Sequence, residues 1–371
     1  MCIRDSLGGA HIKGVRPPPE RACAAAQLVM RLQQGHADAC VGEQGGSSET
    51  GDAPADHDHV LVVLHGGMLA VQRVGPWMEP ELERLLKADS ALMAGARLDQ
   101  CHALGGGCSQ QAWRLQLSDG RHLFAKQGDA AMLEAEQKGL AALHAAADPA
   151  ELVVPEPLAL VLASGGSALL VLPWLEQQSG DQQALGRGLA RLHRRSRAQG
   201  CGRFGWATDG FIGLGPQPAG WRDHWGEAFV ELRLRPQIQL ASSWGLSLAP
   251  LESWLARLIA LLDQHGAEPV LVHGDLWGGN AGVLGDGRGL LIDPASWWAD
   301  REVDLAMTHL FGGFSRSFYA AYEQEWPLAP GASDRVAIYN LYHLLNHANL
   351  FGGGYQQQSR QAIRHLQQQF G

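Results

Sequence analysis

Val272-His273-Gly274-Asp275-Leu276-Trp277-Gly278-Gly279-Asn280 is followed, thirteen residues after the asparagine, by Ile292-Asp293-Pro294. An aspartate, an asparagine five residues on, and a second aspartate at the end of the next apolar run form the skeleton of a kinase catalytic loop with its metal-binding aspartate. The spacing has a chemical reason. Phosphoryl transfer needs a carboxylate beside the attacking hydroxyl, and hard oxygen ligands that hold Mg²⁺ against a triphosphate so that charge developing on its oxygens is neutralised. Asp275 would supply the first, Asn280 and Asp293 the second. The flanking apolar runs, Pro269 to Val272, Ala281 to Leu284 and Gly289 to Ile292, fit a β-hairpin carrying the loop, with a turn at Gly285-Asp286-Gly287.

Working upstream, three strand candidates precede this segment: Leu98 to Leu104, Ala112 to Leu117 and His122 to Gln127. The first two are joined by Gly105-Gly106-Gly107-Cys108-Ser109. A glycine-rich loop between antiparallel strands, with Lys126 on the third, is the phosphate cover of kinase-like enzymes. A Walker A would instead run Gly-Lys-Ser/Thr into a helix. Alone, three glycines in a hairpin usually make only a turn; Lys126 strengthens the reading, because a cation on an apolar strand must find a partner. The helix expected over Ala131 to Ala146 offers Glu134 and Glu136, and Glu136 is the chosen partner, set against an ordinary surface ion pair worth under about 1 kcal/mol. Leu152 to Leu162 and Ala168 to Leu172 read as two further strands. The second ends in Pro173-Trp174-Leu175, either a hinge whose backbone binds adenine or a plain strand end.

A helix is expected over Glu79 to Met93, and from Asp181 onward the pattern turns helical: Ala184 to Arg194, Trp221 to Ala241, Leu251 to Gln264, Val303 to Phe311, Ser317 to Glu325, Asp334 to Phe351 and Gln356 to Phe370. The fold class is therefore α+β and two-lobed, protein-kinase-like. Residues 77–172 form a small lobe of antiparallel sheet plus helix that binds ATP, and 173–371 a large, mainly helical, catalytic lobe. Residues 1–76 are an extension without an assigned role. Met1 to Ser6 resembles the spurious termini of assembled sequence data, Gly42 to Asp58 is linker-like, and a hairpin is expected over 60–74. His57, His59 and His65 lack a complete metal-ligand spacing. So do His343 and His347, read as structural.

Composition excludes several classes. A 46% apolar, 18% charged chain of 371 residues is globular and long enough for a substantial core, and a formal charge of −9 argues against nucleic-acid or anionic-membrane partners. No apolar run reaches membrane-spanning length and no secretory pattern opens the chain, so a cytoplasmic location is expected. Six scattered cysteines indicate neither a zinc ribbon nor a disulfide framework.

Together with Arg301-Glu302-Val303-Asp304-Leu305-Ala306-Met307-Thr308, Leu310-Phe311-Gly312-Gly313-Phe314, Tyr339 to His347 and Asn349 to Tyr355, these motifs resemble the fructosamine kinase (ketosamine-3-kinase) family, relatives of the aminoglycoside and choline kinases. The resemblance runs from Trp77 to the C-terminus. It implies ATP- and Mg²⁺-dependent phosphorylation of a sugar hydroxyl, at carbon 3, on ketosamine small molecules or glycated proteins, with release of the amine as a deglycation repair. By the same resemblance Asp275 is catalytic, Asn280 and Asp293 bind metal, and Lys126 with Glu136 organises ATP beneath Gly105, Gly106 and Gly107. Trp277, with His273, would face the sugar, although packing under the loop is the bland alternative for the tryptophan. Cys108 stands where the family often carries a cysteine implicated in redox-sensitive dimerisation, with a bland small residue in a turn as the alternative, so either a monomer or a homodimer fits. Trp297-Trp298 replaces residues that are usually tyrosine-rich. An aminoglycoside- or choline-type kinase is the second reading. A non-catalytic nucleotide-binding regulator is disfavoured because Lys126, Asp275, Asn280 and Asp293 are all present.

Overall fold

Five antiparallel strands in the order β3-β4-β5-β8-β7 make the first sheet: β3 (Leu98–Leu104), β4 (Gln111–Leu117), β5 (His122–Asp129), β7 (Ala159–Leu162) and β8 (Ser167–Pro173). The computed structural model describes the backbone of residues 59–65 and 68–74 and the full residues 78–104 and 110–370. The glycine-rich loop with Cys108, and residues 1–58, lie outside the described residues. Strands β1 (His59–His65) and β2 (Met68–Val74) pair antiparallel with His65 opposite Met68.

Alternation explains the sheet. On β4, Trp113, Leu115 and Leu117 point to one face and are buried, and Leu123 and Ala125 of β5 join them under Leu82 and Leu86 of helix α1 (Pro80–Ala88). The single helix expected over Glu79 to Met93 is two: Asp89 leaves helical geometry and its carboxylate caps Ala91 and Leu92 to start α2 (Ser90–Met93). The other face receives helix α3 (Ala130–Ala146), which begins at Asp129, whose side chain accepts from the amides of Ala131 and Met132, a cap worth about 1 kcal/mol. Leu133, Leu140 and Leu143 of α3 are fully buried, each contributing about 1.5–3 kcal/mol by removal from water.

The strand expected over Leu152 to Leu162 is also two pieces. Pro155 and Pro157 cannot donate to a ladder, so β6 (Leu152–Val153) separates from β7 and pairs in parallel with β16 (Gly289–Leu291) of a second sheet, ordered β6-β16-β15-β9, with β9 at Gln177–Gln178 and β15 at Ala281–Leu284.

A third sheet, β13-β10-β17-β14, underlies the opening motif. Its strands are β10 (Phe204–Trp206), β13 (Gly220–Arg222), β14 (Val270–Val272) and β17 (Trp297–Ala299). The hairpin expected to carry the loop is β15–β16 alone, with Asn280 entering it and Asp293 leaving it; β14, before the loop, pairs with β17. The long helix expected over Trp221 to Ala241 does not form either. Trp221 is in β13, and the helical part is broken into Trp225–Phe229, a π-helical turn Val230–Leu234 and Arg235–Leu240. Helices over Glu252–Asp263, Glu302–Phe311, Ala332–Phe351 and Gly354–Phe370 pack around Trp225, Phe229, Trp254 and Tyr339, while those over Gln183–Ser196 and Arg316–Glu325 bury Leu185, Leu192, Phe318 and Tyr322 in a second core shared with α3. Among the described residues no helix is long and apolar enough to cross a membrane.

Candidate active site

The loop between β14 and β15 folds over its own backbone. Asn280 donates its amide to the carbonyl of Asp275 (3.0 Å), to Asp275 Oδ2 (3.1 Å) and to the carbonyl of Asp293 (3.3 Å), so one side chain ties both aspartates of the motif together. Gly274 has a left-handed backbone (φ 84°), and a Cβ there would run into the carbonyl of Ala295, so only glycine allows the loop to lie this close to the segment after Asp293. Asp293 itself holds φ 51°, an unusual value for a residue with a Cβ, as found where geometry is set by function.

Lys126 reaches from β5 of the first sheet to this loop. Its Nζ lies 2.8 Å from Glu136 Oε2 on α3 and 3.0 Å from Asp293 Oδ1. With Lys126 and Glu136 only 13% and 11% exposed, this is a shielded pair and not the surface bridge set against it from sequence. Burial works against the lysine's charge, yet the two carboxylates hold its pKa above the ordinary value. Burial raises Glu136 to about 7, with Lys126 opposing. Burial also acts on Asp293, but the ammonium beside it outweighs that and keeps the carboxyl below its usual range.

Asp275 is raised to about 7, first by burial and then by the charges of Asp293 and Asp304, with the Asn280 hydrogen bond opposing. A carboxylate near neutrality is a stronger proton acceptor than an exposed aspartate, which suits a group that receives a hydroxyl proton. The hydrogen bonds of Asn280 hold Asp275 beside Asp293, and Lys126 lies on Asp293 Oδ1; carboxylate and amide oxygens are hard donors of the kind that fits a divalent cation with a polyphosphate.

Two residues expected at the substrate separate here. Trp277 is 39% exposed, two positions from Asp275, with its indole lying against Gly279, where a Cβ would collide with the ring. His273 is fully buried; its Nε2 bonds the carbonyl of Ile292 (2.8 Å) and burial lowers its pKa, so it braces the loop from beneath and presents nothing to an acceptor. Of the hinge residues, the Trp174 amide donates to the carbonyl of His122 (3.2 Å) and Arg114 stacks on the indole at 4.7 Å, so this backbone donor is already engaged. Gly105, Gly106, Gly107 and Cys108 are outside the described residues.

Asp304 is the residue sequence reading left inside a motif without a role. Its buried carboxylate accepts from the amides of His273 (2.7 Å) and Gly274 (2.8 Å) and meets His193 Nε2 at 3.2 Å, while His193 Nδ1 meets the Tyr322 hydroxyl at 2.8 Å. A carboxylate that early in a buried helix has to find donors. That much was legible; which donors it finds, 30 and 31 residues away, was not.

The model of the fructosamine kinase family matches residues 82–369. A relative from Synechocystis named "Probable ketoamine kinase" is 40% identical over 271 residues, 72% of this chain and 90% of its own. The mouse protein "Ketosamine-3-kinase" is 33% identical over 320 residues, 78% of this chain and 99% of its own. A solved structure from Haemophilus somnus, assigned as a fructosamine-3-kinase, superposes with a TM-score of 0.69 at 25% identity, covering 77% of this chain and 98% of that one. The α+β, protein-kinase-like fold read from the sequence is the fold found. The chain belongs to the fructosamine kinase family and is an ATP-dependent phosphotransferase that acts on a hydroxyl group.

Proposed function

We propose that this enzyme moves the γ-phosphoryl group of ATP to the 3-hydroxyl of a sugar carried on an amine as a ketosamine, in a cytoplasmic repair of glycated amines and proteins. The observation that carries the reading is the convergence of Lys126, Asp275, Asn280 and Asp293 from two sheets within hydrogen-bonding reach, with an exposed indole two residues from Asp275. Asp275 receives the proton of the attacking hydroxyl. Lys126, steadied by Glu136, lies against the α- and β-phosphates. Asn280 and Asp293 would hold Mg²⁺, which when bound neutralises charge on the phosphate oxygens. Trp277 stacks on the C–H face of the sugar. The position of transfer and the repair role follow the name of the mouse relative and the family resemblance.

The test is ADP release with ATP and Mg²⁺ over panels of ketosamines, aminoglycosides and choline, followed by mass spectrometry and NMR of the product. Turnover confined to ketosamines with phosphate on carbon 3 is the expected result. Turnover on aminoglycosides or choline without any on ketosamines sinks the assignment.

A further inference from the structure

Arg233 is buried to 1% exposure with no carboxylate against it among the described residues. Its Nη1 donates to the carbonyls of Leu232 (2.8 Å) and Pro218 (3.2 Å), while Nε and Nη2 have no partner there. The guanidinium lies over Trp297, with Cζ 3.8 Å from the ring centroid. Burial pulls its pKa down to about 10, which leaves it charged at neutrality. The residue sits in the π-helical turn Val230–Leu234, a local widening of the kind that recurs at functional sites. An uncompensated buried cation is costly, and an apolar side chain of similar size would be the more stable choice.

Its contacts converge on one place. Pro218, held by Nη1, follows Gln217, whose amide donates to the carbonyl of Ala295 (3.1 Å) and whose oxygen accepts from the Tyr342 hydroxyl (3.0 Å). That carbonyl is the one against which Gly274 packs, and the Ala295 amide pairs with the carbonyl of His273 (2.9 Å). Trp297, under the guanidinium, ends the same segment. Arg233 therefore bears on Asp293–Trp297 at two points: by stacking at its far end, and through Pro218 and Gln217 at its middle.

We propose that Arg233 is a positioning residue for phosphoryl transfer, fixing the Asp293–Trp297 segment and through it the strained Asp293 and the Gly274-Asp275 turn, at the expense of stability. The chemistry fits. A planar fork can stack on an indole and reach a carbonyl at once, whereas a lysine does one or the other.

The discriminating variant is Arg233→Met, which keeps an unbranched apolar stem and removes the charge and hydrogen bonds of the guanidinium. Melting temperature and ATP turnover are measured together, turnover both with a ketosamine acceptor and as slow ATP hydrolysis without one. The second readout keeps this inference separate from the acceptor assignment: if no ketosamine is used but hydrolysis responds, the acceptor is wrong and Arg233 stands. The expected result is an unchanged or higher melting temperature, a tenfold or greater fall in kcat and a KM for ATP within threefold. Arg233→Lys stays slow. Arg233→Met combined with Gln217→Ala loses no more than the more damaging of the two alone, since both act on Ala295. A variant that melts several degrees lower or fails to fold makes Arg233 an ordinary structural residue, and unchanged kcat in both assays overturns the inference as well.

Discussion

Replacing Asp275 by asparagine should make the protein more stable while stopping it from working. The folded carboxyl is raised from its ordinary 3.8 to about 7, first by burial and then by Asp293 and Asp304. At 1.36 kcal/mol per pH unit, that corresponds to about 4 kcal/mol of instability in the charged form. Asp275 keeps partial solvent contact, and screening brings the value to about 2 kcal/mol. The native carboxyl binds its proton more tightly than the unfolded one. The cost is therefore absent below pH 3.8, grows as pH rises and is complete above about pH 7. Asparagine is never charged and keeps the oxygen that accepts from Asn280. Scanning calorimetry should thus find Asp275→Asn melting about 4 °C higher at pH 8, taking about 2 °C per kcal/mol for a chain of this size, with the gap narrowing toward pH 5. In the same preparation, nucleotide binding persists and ADP release falls by about a hundredfold or more, the usual contribution of a proton-accepting group. Turnover at the original rate would falsify the role of Asp275. A gap that widens toward acid would show that buried charge is not what destabilises the loop.

Three further outcomes are expected. Because Asp275 must be deprotonated to accept a proton, kcat/KM should fall tenfold per unit below about pH 7, and a pH profile without that limb would exclude it as the base. Asp304→Asn leaves one oxygen for three donors, the amides of His273 and Gly274 and His193 Nε2. It should lose about 3 kcal/mol by denaturant unfolding along with most activity, and unaltered stability would mean that the donors find other acceptors. Trp277→Ala should raise KM for the acceptor about tenfold, with KM for ATP unchanged. Equal changes in both would indicate that the indole packs the loop and does not meet the sugar.

Much of this protein was legible from local pattern. The strand expected over Ala112 to Leu117 and the helix expected over Ala131 to Ala146 were found to within one residue, because their residues are buried by the element's own geometry. Where local pattern misled, backbone chemistry had intervened. Prolines 155 and 157 split an apolar run between two sheets, and Asp89 preferred capping to continuing a helix. Trp221 looked helical by spacing but was drawn into β13 by pairing with Gly205.

The sequence by itself determined which groups are available for phosphoryl transfer: spacing along the chain places Asp275, Asn280 and Asp293 in one loop and hairpin, and such short-range relations survive without knowledge of the rest. Only the tertiary structure decided what those groups are. It brought Lys126 across 167 positions to Asp293, buried Asp275 until its carboxyl approached neutrality, and sent His273 beneath the loop while leaving Trp277 outside. It also supplied Asp304, with His273 and Gly274, and Arg233, with Trp297, pairs whose members lie 30 or more residues apart. Charge, burial and reach depend on neighbours that are distant in the chain, and so these properties came from the fold and could not be read from the motif.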